Sequence, residues 1–168
     1  MLELKLLLLI IVANGGPIVA KKLWGDRWQS PLDGGKLFID QKPLFGVTKT
    51  WRGIVAACTL TSLAAWLMGL SAMTGFVFAL FAMLGDLISS FIKRRLGMPS
   101  SSMALGLDQI PESLLPLLAT KYYAPVLSMP FQEELTWALV AQIVVAFFVT
   151  GLLLSRLLFH LNIRNHPY

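Results

Sequence analysis

Long apolar runs alternate with short charged stretches along the whole chain, and the apolar runs approach the length that crosses a bilayer. A crossing takes about 20 mostly apolar residues at a rise of about 1.5 Å each. Five segments come close, at roughly 3–22, 53–70, 72–92, 107–127 and 135–160. The pattern predicts an all-α integral membrane protein. It would be a single transmembrane domain over residues 1–168, a bundle of about five transmembrane helices with two cytoplasmic loops at about 22–52 and 93–106. Leu6 to Ala13 has the length of a signal-peptide core. Glu3 beside Lys5 leaves no positive excess, however, and no clean cleavage site precedes Lys21 and Lys22, so an uncleaved helix is predicted. Asn14-Gly15-Gly16-Pro17 is predicted to interrupt that helix, either as a kink with helix packing or because the Asn14 amide needs a partner in hydrocarbon. The fourth segment holds Asp108, Pro111, Glu112 and Pro116, which lipid tolerates only where they face protein or a water-filled cavity.

Loop charge gives an orientation independently. With the N-terminus outside and five alternating helices, the 22–52 loop, the 93–106 loop and the C-terminal tail share the cytoplasmic side. Of the 14 Lys and Arg residues, only Lys5 and Lys121 then fall outside, as the positive-inside rule requires. Trp24, Trp28 and Trp51 border the same face, where indoles favour the interface. The first loop is long for a bundle connection and rich in turn signals, with Asp33-Gly34-Gly35 and Pro43-Leu44-Phe45-Gly46 around a hairpin strand at Lys36–Asp40.

Composition agrees with this layout. The chain is 56% hydrophobic and 14% charged, with a mean hydropathy of +0.69, too apolar for a soluble domain of its size. In so apolar a chain a net charge of +5 points to lipid headgroups and phosphorylated substrates rather than nucleic acid. Cys58 stands alone inside an apolar run, which removes a disulfide framework and a thiolate metal site. His160 and His166, both near the C-terminus, offer neither zinc spacing nor a hydrolase triad, and no Walker or Rossmann fingerprint occurs.

Candidate chemistry gathers at the cytoplasmic ends of the apolar runs. Asp86, Ser89, Ser90 and Lys93 fall at i, i+3, i+4 and i+7 and share one helix face, with Arg94 and Arg95 following. A carboxylate with hydroxyls and cations at a membrane surface suggests a metal-bound phosphate. The cations alone would also suit a helix C-terminus, but that leaves Asp86, about two turns deeper, unexplained. Asp108 and Glu112 form an i, i+4 carboxylate pair at the start of the fourth helix. Asp108 is either the cap of that helix or, together with Asp86, half of an oxygen-only site suited to Mg²⁺. Lys49, Thr50 and Arg52 open the second helix, as interfacial anchors or as phosphate contacts at a helix N-terminus.

Taken together, these segments resemble the CDP-archaeol synthase family, small relatives of the phosphatidate cytidylyltransferases. The resemblance is carried by Asn14-Gly-x-Pro17, Pro31-Leu-Asp33, Asp40-x-x-Pro43-Leu-Phe-Gly46-x-x-Lys49-Thr-Trp-Arg52-Gly53, Gly85-Asp86-x-x-x-Ser90-Phe-x-Lys93-Arg94-Arg95 and Leu107-Asp108-Gln109. It implies a membrane enzyme that transfers CMP from CTP to a lipid phosphate and releases pyrophosphate, with Mg²⁺ as cofactor. It also implies a multi-pass protein of the cell (inner) membrane whose active site faces the cytoplasm, with CTP, a membrane lipid phosphate and the bilayer as partners, and it leaves a homodimer open. The residues it implies are Asp86, Lys93 and Asp108 in catalysis, with Asp86, Asp108 and Glu112 at the metal. Asn14, Lys49, Thr50, Arg52, Ser89, Ser90, Arg94, Arg95 and Gln109 are implied in substrate binding. The larger cytidylyltransferases carry a His-Gly-Gly stretch where this chain has Ser100 to Ala104, and Asp108-Gln109-Ile110-Pro111-Glu112 looks more like bacterial members.

Two other classes are weighed against this reading. A small membrane transporter would place polar residues down several helices, whereas here they collect at one end. A catalytically inactive assembly factor would have no need of intact Asp86, Lys93, Arg94 and Asp108.

Overall fold

The computed structural model describes residues 2–123 and 135–160, with the side chains of all of these except 154, 155 and 157–160. Five helices follow one another in the described residues: α1 (Leu2–Trp24), α2 (Trp51–Leu67), α3 (Ala72–Arg95), α4 (Gln109–Tyr123) and α5 (Trp137–His160). The end of the fourth predicted segment, 124–127, and His166 lie outside the described residues. Thr50 caps α2, its hydroxyl accepting the Gly53 N–H at 3.2 Å, and Ser71 caps α3 by accepting the Thr74 N–H at 3.0 Å.

The predicted interruption of the first helix does not occur, because α1 runs unbroken through Asn14-Gly15-Gly16-Pro17. The glycines serve packing: a Cβ on Gly16 would sit 2.7 Å from the Ala57 Cα, so the α1 and α2 backbones meet there. Asn14 satisfies its amide within its own helix, donating to the Ile10 carbonyl at 3.1 Å. Two further glycines do the same for α3. Gly75 lies against the Thr61 carbonyl and Ala65 of α2, and Gly85 against the Pro111 carbonyl of α4. Through these contacts α3 becomes the centre of the bundle, packing on α1, α2 and α4, while α5 closes against α4 and α1.

Leu6, Leu9, Ile10, Phe78, Leu117, Leu135, Ile143 and Phe147 form a buried cluster towards one end. The outer surface is also apolar: Leu4, Ile18, Val55, Leu67 and Val145 are each 60% exposed or more. A surface of that kind suits lipid rather than water. Helices α1 and α3 are long and apolar enough to cross a membrane. At 17 residues α2 is shorter than a straight crossing needs.

The expected hairpin strand at Lys36–Asp40 reduces to one isolated bridge between Leu37 and Pro43, with the Phe38 N–H donating to the Lys42 carbonyl at 2.8 Å. The Leu44 N–H donates to the Lys36 carbonyl at 3.3 Å on the other side of the bridge, and the Gln41 N–H turns in to the Phe38 carbonyl at 3.0 Å to close the turn. A second bridge, Pro31 to Thr50, closes the base of the loop.

Candidate active site

One cavity of about 400 Å³ opens where the late turns of α1, α3 and α5 meet the start of α4. It is lined by Asn14, Pro17 and Ile18 from α1, Thr48 and Lys49 before α2, and Met83, Asp86 and Lys93 from α3. Ser101, Ser102 and Met103 close it from the following loop, with Asp108, Gln109 and Glu112 from the start of α4 and Phe147 and Gly151 from α5. A larger groove, about 470 Å³, runs between α1 and α2 past Trp24, Trp28 and Trp51. Its lining holds no carboxylate and no lysine, and Arg52 is its single charge, so size does not locate the chemistry here.

Inside the smaller cavity the charges are paired. The Lys49 Nζ reaches both Asp86 carboxylate oxygens at 2.6 Å, with the two side chains only 23% and 18% exposed. The Lys93 Nζ lies 2.6 Å from Asp108 Oδ1 and donates to the Ser102 carbonyl at 2.9 Å. Glu112, half-buried one turn into α4, lines the same cavity as Asp86. Helical spacing explains the convergence on α3: Asp86 and Lys93, seven residues apart, project from one face. Asp86 and Lys93 share that face without pairing with each other, and each meets a partner from another element.

Of the residues singled out in the sequence, the cavity gathers Asn14, Lys49, Asp86, Lys93, Asp108, Gln109 and Glu112. Asp108 does not cap α4 in the predicted sense, because its Oδ2 turns back to accept the Ala104 N–H at 2.9 Å. Gln109 likewise turns back, accepting the Gly106 N–H at 2.8 Å. The other residues implied in substrate binding do not line this cavity. Ser89 and Ser90 are buried, and the Ser89 hydroxyl donates to the Asp86 main-chain carbonyl at 2.9 Å. Thr50 is the α2 cap. Arg52 donates to the Gly25 carbonyl at 2.9 Å and to the Arg27 carbonyl, tying the end of α1 to the start of α2.

Arg94 binds the Ser100 hydroxyl at 3.0 Å and the Pro99 carbonyl at 2.8 Å, fixing the loop after α3. Arg95 pairs with Asp40 at 2.9 Å, donates to the Pro43 carbonyl at 2.6 Å and lies against the rings of Phe38 and Phe91. The family resemblance implies substrate contacts for all three consecutive cations; of the three, only Lys93 lines the cavity. Ser101, Ser102, Thr48 and Gly151 line it without having been singled out as site residues. The triple serine where the larger enzymes have His-Gly-Gly was the available signal for the first two.

The donor set fits a hard divalent cation by chemistry, since three carboxylates line one cavity with amide oxygens nearby. The arrangement is not a ready-made cage. Among the described residues no three carboxylate, histidine or cysteine side chains converge on a common point, and lysines hold two of the carboxylates.

A helical bundle with a lipid-suited surface and a cavity of paired carboxylates and lysines at one end defines an intramembrane enzyme for charged substrates. The family model described as "CarS-like: CDP-archaeol synthase" matches residues 2–168, and the chain belongs to that family. It is similar to the CDP-archaeol synthase of Pyrobaculum arsenaticum, 36% identical over 68% of this chain and 71% of the relative. To that of Saccharolobus islandicus it is 37% identical over 66% of each chain, and to that of Pyrobaculum calidifontis 40% over 67% and 69%. The chain thus spans about two thirds of the length of these curated relatives. A solved structure described as an intramembrane enzyme for archaeal membrane lipids biosynthesis superposes with a TM-score of 0.67, at 28% identity over 90% of both chains. These relatives are archaeal and lend no support to the bacterial cast of Asp108–Glu112. The family carries the enzyme class foreseen in the sequence, a CTP-dependent cytidylyltransferase of membrane-lipid synthesis.

Proposed function

We propose that this protein transfers CMP from CTP to the phosphate of a prenyl-ether lipid, and that the Lys49–Asp86–Lys93–Asp108 cavity is where it does so. In this reading the whole chain is one transmembrane domain, with the 25–50 and 96–108 connections on the cytoplasmic side. The observation that carries the assignment is the meeting of two lysines and three carboxylates in one cavity at a bundle end. The basic loops argue for the cytoplasmic side, where CTP is available.

The reaction joins two anions. An oxygen of the lipid phosphate attacks the α-phosphorus of CTP, a new P–O bond forms, and the bond to the β-phosphate breaks to release pyrophosphate. A lipid phosphate is already ionised near neutral pH, so no strong general base is needed, which suits a cavity without histidine among the described residues. What the site must supply is charge neutralisation and alignment. The Lys49 and Lys93 ammonium groups, held on α3 and beside it, are mobile donors for phosphate oxygens. Asp86, Asp108 and Glu112 would hold Mg²⁺, which when bound offsets charge on the triphosphate. Because each lysine is already on a carboxylate, the arriving phosphates exchange partners with groups in place instead of recruiting distant ones.

Purified protein incubated with labelled CTP, Mg²⁺ and either a prenyl-ether or a diacyl lipid phosphate tests the reading. The expected product is CDP-linked prenyl lipid with stoichiometric pyrophosphate. Transfer to the diacyl acceptor alone would overturn the acceptor assignment, and no transfer to either would overturn the function.

A further inference from the structure

Asp33 lies outside the cavity, yet it is buried, 8% exposed, in a loop whose neighbours are mostly exposed. Its Oδ1 accepts the Gly35 N–H at 3.0 Å, and its Oδ2 accepts the N–H groups of Phe45 and Gly46 at 3.1 and 3.2 Å. Burial alone would raise its pKa, but the hydrogen bonds from Phe45, Gly35 and Gly46 outweigh that and hold the carboxyl below its ordinary value. Asp33 is therefore a charged hub joining two turns that are a dozen residues apart in sequence.

Both turns lead to Lys49. The Lys49 N–H donates to the Gly46 carbonyl at 3.2 Å, and the Lys49 carbonyl accepts the Leu32 N–H at 2.7 Å. The main chain of Lys49 is thus gripped on one side by a residue that Asp33 binds and on the other by the residue that precedes Asp33. Gly46 adds a third restraint. It has φ of +94°, and a Cβ there would sit 2.5 Å from the Ser100 hydroxyl, which itself binds Arg94. A side chain at this position would be strained by the backbone, and the turn seats on the loop that follows Lys93.

We infer that Asp33 is a positioning residue that sets the Lys49 ammonium against Asp86 through Gly46 and Leu32. A lysine side chain has four rotatable bonds, so its reach to both Asp86 oxygens at 2.6 Å depends on where its main chain is held. The catalytic consequence rests on the function proposed above; the positioning itself does not.

The experiment therefore has two arms, run on the full chain in detergent. In the first, an amine-reactive reagent labels the protein and mass spectrometry follows the rate at Lys49, with Lys21 and Lys93 as internal references. In the parent Lys49 is held on Asp86 and labels slowly. Asp33→Ala is expected to speed Lys49 labelling about tenfold relative to Lys93, with Asp33→Asn, which keeps one acceptor oxygen, in between. In the second arm CTP binding is measured for Asp33→Ala, Lys49→Met and the double variant. If Asp33 acts through Lys49, the Asp33 substitution weakens CTP binding in the parent but by less than about twofold in the Lys49→Met background. Equal acceleration at every lysine, or unchanged Lys49 labelling in both variants, would overturn the inference. So would a full multiplicative loss in the double variant. Selective Lys49 labelling in a protein whose parent binds no CTP would instead uphold the positioning and remove the proposed function.

Discussion

The two ends of the bundle handle lysine in opposite ways. At the end where α1 begins, Lys5 donates to the Met68 carbonyl at 2.8 Å, closing the C-terminus of α2. There a cation meets the exposed carbonyls of a helix end, which satisfies the backbone and complements the macrodipole. At the other end Lys49 and Lys93 bypass helix carbonyls and lie on Asp86 and Asp108. Such pairs, largely out of water, contribute little net stability, because desolvation offsets their attraction. A lysine on a carbonyl closes a structure, whereas a lysine on a carboxylate is poised to exchange partners when a phosphate arrives. Placement of the partner separates a structural cation from a candidate catalytic one, and residue type does not.

The comparison breaks most visibly at Asp86. Asp86→Asn keeps the shape but removes the charge, and CMP transfer per folded molecule is expected to fall by about 10²-fold or more. The same change leaves Lys49 without its counter-ion, so the thermal midpoint should drop slightly, by the equivalent of about 1 kcal/mol. Parental turnover in an early-melting Asp86→Asn protein would make the pair structural and erase the distinction between the ends.

Phe78→Ala, in the buried cluster towards the Lys5 end, should do the reverse. We expect a loss of about 2 kcal/mol in stability, less than the same truncation costs a water-soluble core because lipid is the alternative solvent, with unchanged turnover of the folded fraction. Lys5→Met removes one hydrogen bond to a helix end and should cost about 1 kcal/mol with no change in CTP affinity, as read by thermal shift and nucleotide binding.

The smallest effect is one of pH. The folded-state pKa of Asp33 lies below its ordinary value of 3.8. Its contribution to stability is therefore complete at neutral pH and is lost as pH falls below about 4 through the folded value. The parent should lose thermal stability over that window more steeply than Asp33→Asn. Parallel slopes for the two proteins would show that the hub carries no linked charge.

Much of this was legible beforehand because bilayers impose coarse rules. Five apolar runs and a one-sided distribution of cations suffice to foresee a helical bundle with polar chemistry at one end, whatever the details of packing. Helical periodicity brought Asp86 and Lys93 to one face for the same reason. The sequence could not tell Lys93, which faces the cavity, from Arg94 and Arg95 beside it, which clamp two loops. Adjacent residues on a helix point about 100° apart, and their targets lie on segments distant in sequence. Nor could it reveal that Asn14-Gly15-Gly16-Pro17 continues a helix, since the Ala57 backbone that needs Gly16 comes from another element.

By itself, then, the sequence determined the solvent of this protein, the helical class, the end that carries charge and the family whose motifs it shares. These properties depend on composition, periodicity and local order along the chain. Tertiary structure alone decided which lysine meets which carboxylate, that Ser89, Ser90, Arg52 and Arg95 stand outside the cavity lining, and that Asp33 grips the main chain around Lys49. Those outcomes depend on contacts about 3 Å long between separate segments of the chain, 37 positions apart for Lys49 and Asp86 and 13 for Asp33 and Gly46. Packing around Gly16, Gly75 and Gly85 brings α1, α3 and their neighbours into the close contact that carries Asp86 to the cavity.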